Sequence, residues 1–340
     1  MSQIPATTTI PLVVGMHRSG TSLLSRALTV FGFDHGDQLL INSDNAKGHW
    51  EDLDIIALND QLLAAVERQW WSLAPIAAPQ LQQLCEGPLF TRAQQLIQQR
   101  RQQHRGYGFK DPRTSVLLPF WNEVLRSLGL TPLLLICWRN PVAVARSLQA
   151  RNGLQPTHGH YLWLTYNLAL LAFACQTPIA HVVVNYQQLL NHSETELQRI
   201  ARHLGLMLDA GEAALYRDAF VDASLDHSDH TLDVALPRVV DEVQQLLVQA
   251  SKDPAVLRSE ASRHQIEAWQ QQSWEQHSLL LHCDAEHERA NRASHDAAHA
   301  NGELQLAQAE LGSIYNGRSW ALTRPLRDWN ARWLAWRGQP

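Results

Sequence analysis

Cysteine is sparse in these 340 residues: Cys85, Cys137, Cys175 and Cys283 stand far apart and form no Cys-x-x-Cys pair. That argues against a disulfide framework or a cysteine zinc site, and the thiols are expected to be reduced, as in a cytoplasmic protein. Long apolar runs are missing too. The longest, residues 132–138 and 168–175, fall far short of the roughly 20 residues that cross a bilayer. Residues 1–9 lack the basic segment that opens a secretory signal, so the catalytic part is expected in the cytoplasm. Nor is there an excess of positive charge: a net charge of −5 gives no general expectation of a nucleic-acid partner. What remains is a globular composition, 45% hydrophobic and 18% charged, long enough for one large α/β domain with added helices. Tryptophan and histidine are abundant, at 12 and 17.

One further absence lies inside a motif. An apolar, β-branched run, Pro11-Leu12-Val13-Val14, leads into Gly15-Met16-His17-Arg18-Ser19-Gly20, and a helical pattern opens at Thr21-Ser22-Leu23-Leu24. Strand, glycine-bounded loop and helix in this order bring backbone N–H groups together on a phosphate. Gly15 and Gly20 have the spacing of a nucleotide-triphosphate P-loop, yet Thr21 stands where that loop carries its lysine. Arg18 supplies a cation inside the loop, and Ser19, Thr21 and Ser22 supply hydroxyls. A plain turn between strand and helix would also use the two glycines, but the full order favours a phosphate cradle.

Up to about residue 210, short apolar runs alternate with amphipathic segments, which predicts a central, mostly parallel sheet covered by helices. Strands are expected at residues 10–14, 107–110, 133–138 and 181–185. Helices are expected at 21–31, 115–128, 141–151, 161–174 and 193–204. Pro141 suits a first helical turn, and Ser193 with Glu196 reads as a capping box. An insert of about ninety residues separates the first two strands and holds helical stretches at 52–71 and 92–103; such inserts commonly carry acceptor recognition. Three regions follow: a domain over 1–225, a helical extension over 226–312 and a tail over 313–340. In the extension Ala290, Ala293, Ala297, Ala300, Leu304, Ala307, Leu311 and Ile314 alternate by three and four, a seam that suits a coiled coil or an amphipathic helix docked on the domain. The tail carries five Arg and four Trp against one Asp, which suits a membrane surface, an anionic glycan, self-association or a helix pair folded on the core.

A second cluster, Arg139-Asn140-Pro141 through Ser147, begins at the C-terminal end of a central strand, where α/β proteins bind ligands. Arg139 could grip a second phosphate with a forked contact, or serve as an ordinary surface or capping arginine. Together the loop and this cluster resemble the sulfotransferase family, enzymes that use 3′-phosphoadenosine 5′-phosphosulfate (PAPS). The resemblance covers roughly residues 10–210 and is nearest to bacterial members with the loop Gly-Met-His-Arg-Ser-Gly-Thr-Ser followed by a Lys-Gly-aromatic-aromatic-Glu segment, here Lys47-Gly48-His49-Trp50-Glu51. It implies a P-loop-like three-layer α/β fold, with the C-terminal helices as an extension. It also implies that Arg18, Ser19, Gly20, Thr21 and Ser22 hold the 5′-phosphosulfate, that Arg139 and Ser147 hold the 3′-phosphate, and that Tyr186, after the 181–185 strand, belongs to the nucleotide site. One departure is Leu23, where many cytosolic members place a tryptophan that stacks on adenine.

PAPS has no γ-phosphate, and sulfuryl transfer in this family needs no metal, which accounts for the missing lysine. The transfer needs in-line positioning, a base for the acceptor hydroxyl and positive charge at the leaving oxygen. Glu51 is the favoured base, with His49, Asp111 and His17 as the other candidates. Lys110, in Lys110-Asp111-Pro112-Arg113, resembles the leaving-group lysine of tyrosylprotein-type members; a surface salt bridge to Asp111 is the alternative. The tail, Arg318-Ser319-Trp320-Ala321-Leu322-Thr323-Arg324-Pro325-Leu326-Arg327, resembles endings of bacterial glycosyltransferases and surface-polysaccharide enzymes. By association this points to a glycan hydroxyl as acceptor. The rival readings are a P-loop kinase using ATP and a catalytically silent scaffold of polysaccharide synthesis.

Overall fold

The computed structural model describes residues 8–36, 39, 50–104, 106–222 and 235–338. Four parallel strands form one sheet in the order β2-β1-β3-β4, with β1 at Thr9–Val14, β2 at Phe109–Lys110, β3 at Thr131–Trp138 and β4 at His181–Asn185. Seven of the eight β3 residues are buried, as a strand covered on both faces requires. β1 pairs with β3 along its whole length but meets β2 only at Leu12 and Val13. Pro11, which has no N–H to donate, lies beyond the β2 pairing. The 107–110 strand is thus reduced to two residues, while Tyr107 forms an isolated bridge with Asp34.

The helices are α1 Thr21–Arg26, α2 Leu53–Ala65, α3 Ala78–Leu84, α4 Pro88–Gln103, α5 Leu118–Ser127, α6 Pro141–Asn152, α7 Pro156–Gln176, α8 Tyr186–Asn191, α9 Ser193–Leu204, α10 Ala210–Leu215, α11 Arg238–Lys252, α12 Glu260–Glu275, α13 His277–Tyr315, α14 Arg318–Leu322 and α15 Arg324–Arg337. Several bounds differ from the expectations for physical reasons. The helix expected to run to residue 31 is α-helical only to Arg26 and tightens into a 3-10 turn, Ala27–Phe31, closed by left-handed Gly32. The 115–128 helix starts at Leu118, because Asp111 accepts from the Arg113 N–H and caps a separate turn, Pro112–Ser115. The 52–71 helix stops at Ala65, where left-handed Glu67 turns the chain and Arg68 donates to the carbonyls of Val66, Glu67 and Ala74. The 161–174 helix extends at both ends, starting at Pro156. Ser193 does not cap α9: His192 occupies the cap position, and Glu196 is committed to Arg199, which also donates to the Val183 carbonyl of β4.

Residues Met1–Leu281 form one compact unit and His282–Pro340 a second. In the first, α11 and α12 pack against α7, so they sit with the sheet domain; the expected boundary at 225 falls outside the described residues. The second consists of helices: most of the 39-residue α13, on which Ala290 to Leu311 are exposed, followed by α14 and α15. No described helix is long and apolar enough to cross a membrane.

Candidate active site

The loop between β1 and α1 is built around two glycines. A Cβ on Gly15 would lie 2.3 Å from the Cys137 carbonyl oxygen of β3, and one on Gly20 would lie 2.0 Å from the Tyr186 ring. Gly20 also has φ +86°, in the left-handed region that glycine enters without steric cost. Gly15 is held from across the chain: its N–H donates to Ser115 Oγ at 2.9 Å, and Ser115 Oγ donates back to its carbonyl at 3.3 Å. The Cys137 thiol donates to the Ser19 carbonyl at 3.2 Å, turning that oxygen toward β3. The first-turn N–H groups of α1 have no carbonyl one turn earlier, so they are acceptor-seeking groups at the end of the loop. Ser19 is fully buried, and its hydroxyl has no hydrogen-bond partner. A buried hydroxyl without a partner, next to a helix start whose first N–H groups seek acceptors, suits an anion cradle. Arg18, with φ +66°, holds a left-handed conformation that costs a non-glycine residue on the order of 1 kcal/mol.

That conformation brings Arg18 to the second cluster. Its Nε donates to Ser147 Oγ at 2.8 Å, across 129 residues of sequence. Arg139 Nη1 donates to the Arg18 carbonyl at 3.3 Å, and its guanidinium lies 4.5 Å from the centre of the Tyr186 ring. Each partner is fixed by its own element. The Asn140 side chain caps α6 through the N–H groups of Val142 and Ala143, Trp163 donates to the Arg139 carbonyl, and Asn185 caps α8 just before Tyr186. Arg18, Ser147, Arg139 and Tyr186 therefore meet beside the loop.

On the other side, Lys110 ends β2, is almost fully buried, and donates to Glu51 and, at 3.3 Å, to Ser22 Oγ. The expected alternative, a salt bridge from Lys110 to Asp111, does not form. Asp111 is turned inward, where it accepts from Asn59 and from the Arg113 backbone and guanidinium. Burial pushes the Asp111 carboxyl above its usual range, and the Glu51 charge adds to this while Arg113 opposes it. Glu51 is placed by its neighbours. Asp52 caps α2 and takes a forked contact from Arg100, at 2.6 and 2.9 Å, plus the Tyr107 hydroxyl at 3.0 Å. Trp50, left-handed at φ +57°, lies under Arg26 and against His35 and Phe220. His49 lies outside the described residues.

His17 also faces this region. Its ring packs 4.9 Å from Trp70 and 5.9 Å from Tyr166, and its buried Nε2 has no hydrogen-bond partner. Burial, reinforced by Arg113, Lys110, Arg151 and Arg18, holds the imidazole well below its usual pKa, so it is neutral at pH 7. The open ring nitrogen can accept a hydrogen bond, and for it to take a proton the incoming negative charge of a substrate would have to offset that burial and those cations. Tyr166 and Ser115 also line a cavity of about 260 Å³ that is walled largely by apolar residues, among them Leu63, Ile76, Phe173 and Trp274. Ser115, Trp70, Tyr166 and the Asp52–Arg100 pair carried no signal in the sequence, because every one of these contacts spans tens of residues.

No known protein family matches the sequence, and neither does any curated protein. Among solved structures, the sulfotransferase domain from the Synechococcus PCC 7002 olefin synthase is similar, with 18% identity over 73% of this chain and 98% of that one, at a TM-score of 0.46. The parallel sheet and its surrounding helices make the protein an α/β fold.

Proposed function

We propose that the protein transfers the sulfuryl group of PAPS to a hydroxyl acceptor, with a carbohydrate of a surface glycan as the acceptor expected from the sequence. The observation that supports this most is the meeting of Arg18, Ser147, Arg139 and Tyr186 beside a glycine-bounded loop with an orphaned Ser19 hydroxyl. A nucleotide with phosphates on both sides of its ribose needs two cation sites, and Arg18 in the loop and Arg139 after β3 are the candidates for them. The loop N–H groups, Ser19, Thr21 and Ser22 would hold the 5′ side. Arg139 and Ser147 would hold the 3′-phosphate through charge-assisted contacts.

In this reading the acceptor oxygen attacks sulfur in line while the sulfur–oxygen bond to the leaving phosphate breaks. The acceptor's proton passes to the base, and the two electrons of the broken bond stay on the bisphosphate. Lys110, already beside Ser22, and Arg18 would stabilise that charge. Glu51 is the proposed base, held against Lys110 on a segment anchored by Asp52. A second reading, favoured by the open Nε2 of His17, gives the proton to that imidazole. The non-reacting part of the acceptor would rest in the cavity lined by Tyr166, whose ring lies 5.9 Å from that of His17. Calorimetry with adenosine 3′,5′-bisphosphate and with ATP tests the class: bisphosphate binding without ATP binding is the expected result, and the reverse would overturn this reading and support a P-loop kinase.

A further inference from the structure

The last helix presents one face that nothing among the described residues covers. On α15, Leu326, Trp329, Trp333 and Trp336 follow each other at spacings of three, four and three, which at 3.6 residues per turn puts them on one side. Leu326 is 69% exposed, Trp329 66% and Trp336 75%, with Trp333, under Arg337, at 37%, so the helices of its own unit leave most of this stripe uncovered. Arg332 and Arg337 border this stripe, one on each side. Arg337 stacks on Trp333 at 4.3 Å, and Arg327 stacks on Trp320 of the preceding helix at 3.6 Å. Residues 313–340 hold five arginines and one acid, Asp328, a net +4 within a chain of net −5.

We infer that α15 is an interfacial helix that lies on an anionic lipid surface, with its three tryptophans at the level of the headgroups and its arginines on the lipid phosphates. Two features select this occupant. Tryptophan has an apolar body and one polar N–H, which suits the boundary between hydrocarbon and water better than a dry protein seam. A like-charged second copy would bring a net +4 against another +4 with a single acid on each side, whereas a bilayer rich in acidic lipid supplies the missing counter-charge. The inference is independent of the transfer reaction.

Flotation of the full chain with vesicles of phosphatidylcholine alone, or with added phosphatidylglycerol, tests it. The protein should float with the anionic vesicles and much less with the neutral ones. Raising salt from about 0.1 to about 1 M, which shortens the screening length from ~10 to ~3 Å, should release it. The variant Trp329→Ser/Trp333→Ser/Trp336→Ser changes only exposed side chains and should lose about tenfold or more in partitioning, with nucleotide binding unchanged. No flotation with anionic vesicles, equal flotation with both kinds, or a triple variant that floats like the parent would each overturn the inference. So would light scattering that shows a dimer reduced to a monomer by the triple variant, without vesicle binding.

Discussion

The two walls of the candidate site handle charge differently. On the wall formed by the β1–α1 loop, Arg18 and Arg139 meet, among other partners, a serine hydroxyl, a backbone carbonyl and a phenol ring. On the opposite wall Lys110, Arg100 and Arg113 each meet a carboxylate: Glu51, Asp52 and Asp111. Contacts to neutral groups are ones an incoming phosphate can replace. Buried ion pairs are costly to break and hold their surroundings in one arrangement. These contacts of the first wall are therefore suited to exchange, and the ion pairs of the second to holding a geometry. Changes to the first should read out in ligand affinity, and changes to the second in turnover and stability.

The largest expected effect tests the second wall's chemistry. Glu51→Gln keeps an acceptor for Lys110 but removes the base, so turnover should drop by roughly 10²–10⁴-fold while the affinity for adenosine 3′,5′-bisphosphate is kept. If turnover stays near normal in Glu51→Gln and collapses in His17→Gln, the proton goes to the imidazole instead. Next comes Asp52→Asn, which leaves Arg100 with the half-exposed Asp54 as its carboxylate partner among the described residues. Removing one partner of a buried pair costs about 3–5 kcal/mol, and the surviving Asp54 contact places this change near the lower end. Urea unfolding should show the loss as a lower midpoint with an unchanged slope. A variant of unchanged stability would mean that the pair does not anchor the Glu51 segment.

Arg139→Ala is the mirror experiment. Hydrogen bonds to charged groups contribute about 1.5–3 kcal/mol, so bisphosphate binding should weaken by about ten- to hundredfold. The unfolding midpoint should barely move. If stability falls and affinity does not, the contrast between the walls is wrong, and Arg139 is the capping or surface arginine that its sequence context also allowed.

The elements of the loop wall were the more legible ones, for a physical reason. Its parts are short local units: a strand and glycine loop at 15–20, an arginine at the end of β3, and a first helical turn opened by Pro141. Only their meeting in space is new. The meeting of Arg18 with Ser147, and the ring of Tyr186 that makes Gly20 obligatory, depend on the β1–β3–β4 order. The opposite wall was read in part. Glu51 and Lys110 stood out as residues, yet their pairing was missed because the neighbouring Asp111 was the nearer carboxylate in sequence. Asp111 turns inward to Asn59 and Arg113, which no local pattern announces. The 52–71 helix ended early where Arg68 intervenes after α2, whereas the 193–204 helix kept its bounds and lost only its capping box, because Glu196 is committed to Arg199.

The smallest expected effect concerns acid. His35 lies behind the second wall, with Nε2 2.7 Å from the Ser25 carbonyl and its ring 5.4 Å from Trp50. Burial lowers its pKa from 6.5 to about 4. Above pH 6.5 the imidazole is neutral whether the chain is folded or not, so it adds no pH dependence there. Below 6.5 the unfolded chain takes up a proton that the folded one refuses until about pH 4, and stability falls through that window. Between pH 7 and 5.5 the loss from His35 is about 1 kcal/mol. His17 adds in the same direction, since its burial also disfavours the charged form. Urea unfolding at the two pH values measures the sum, and His35→Gln should flatten the difference by the His35 share. An unchanged difference in that variant would move the acid sensitivity away from Trp50, and the second wall would hold Glu51 in place independently of pH.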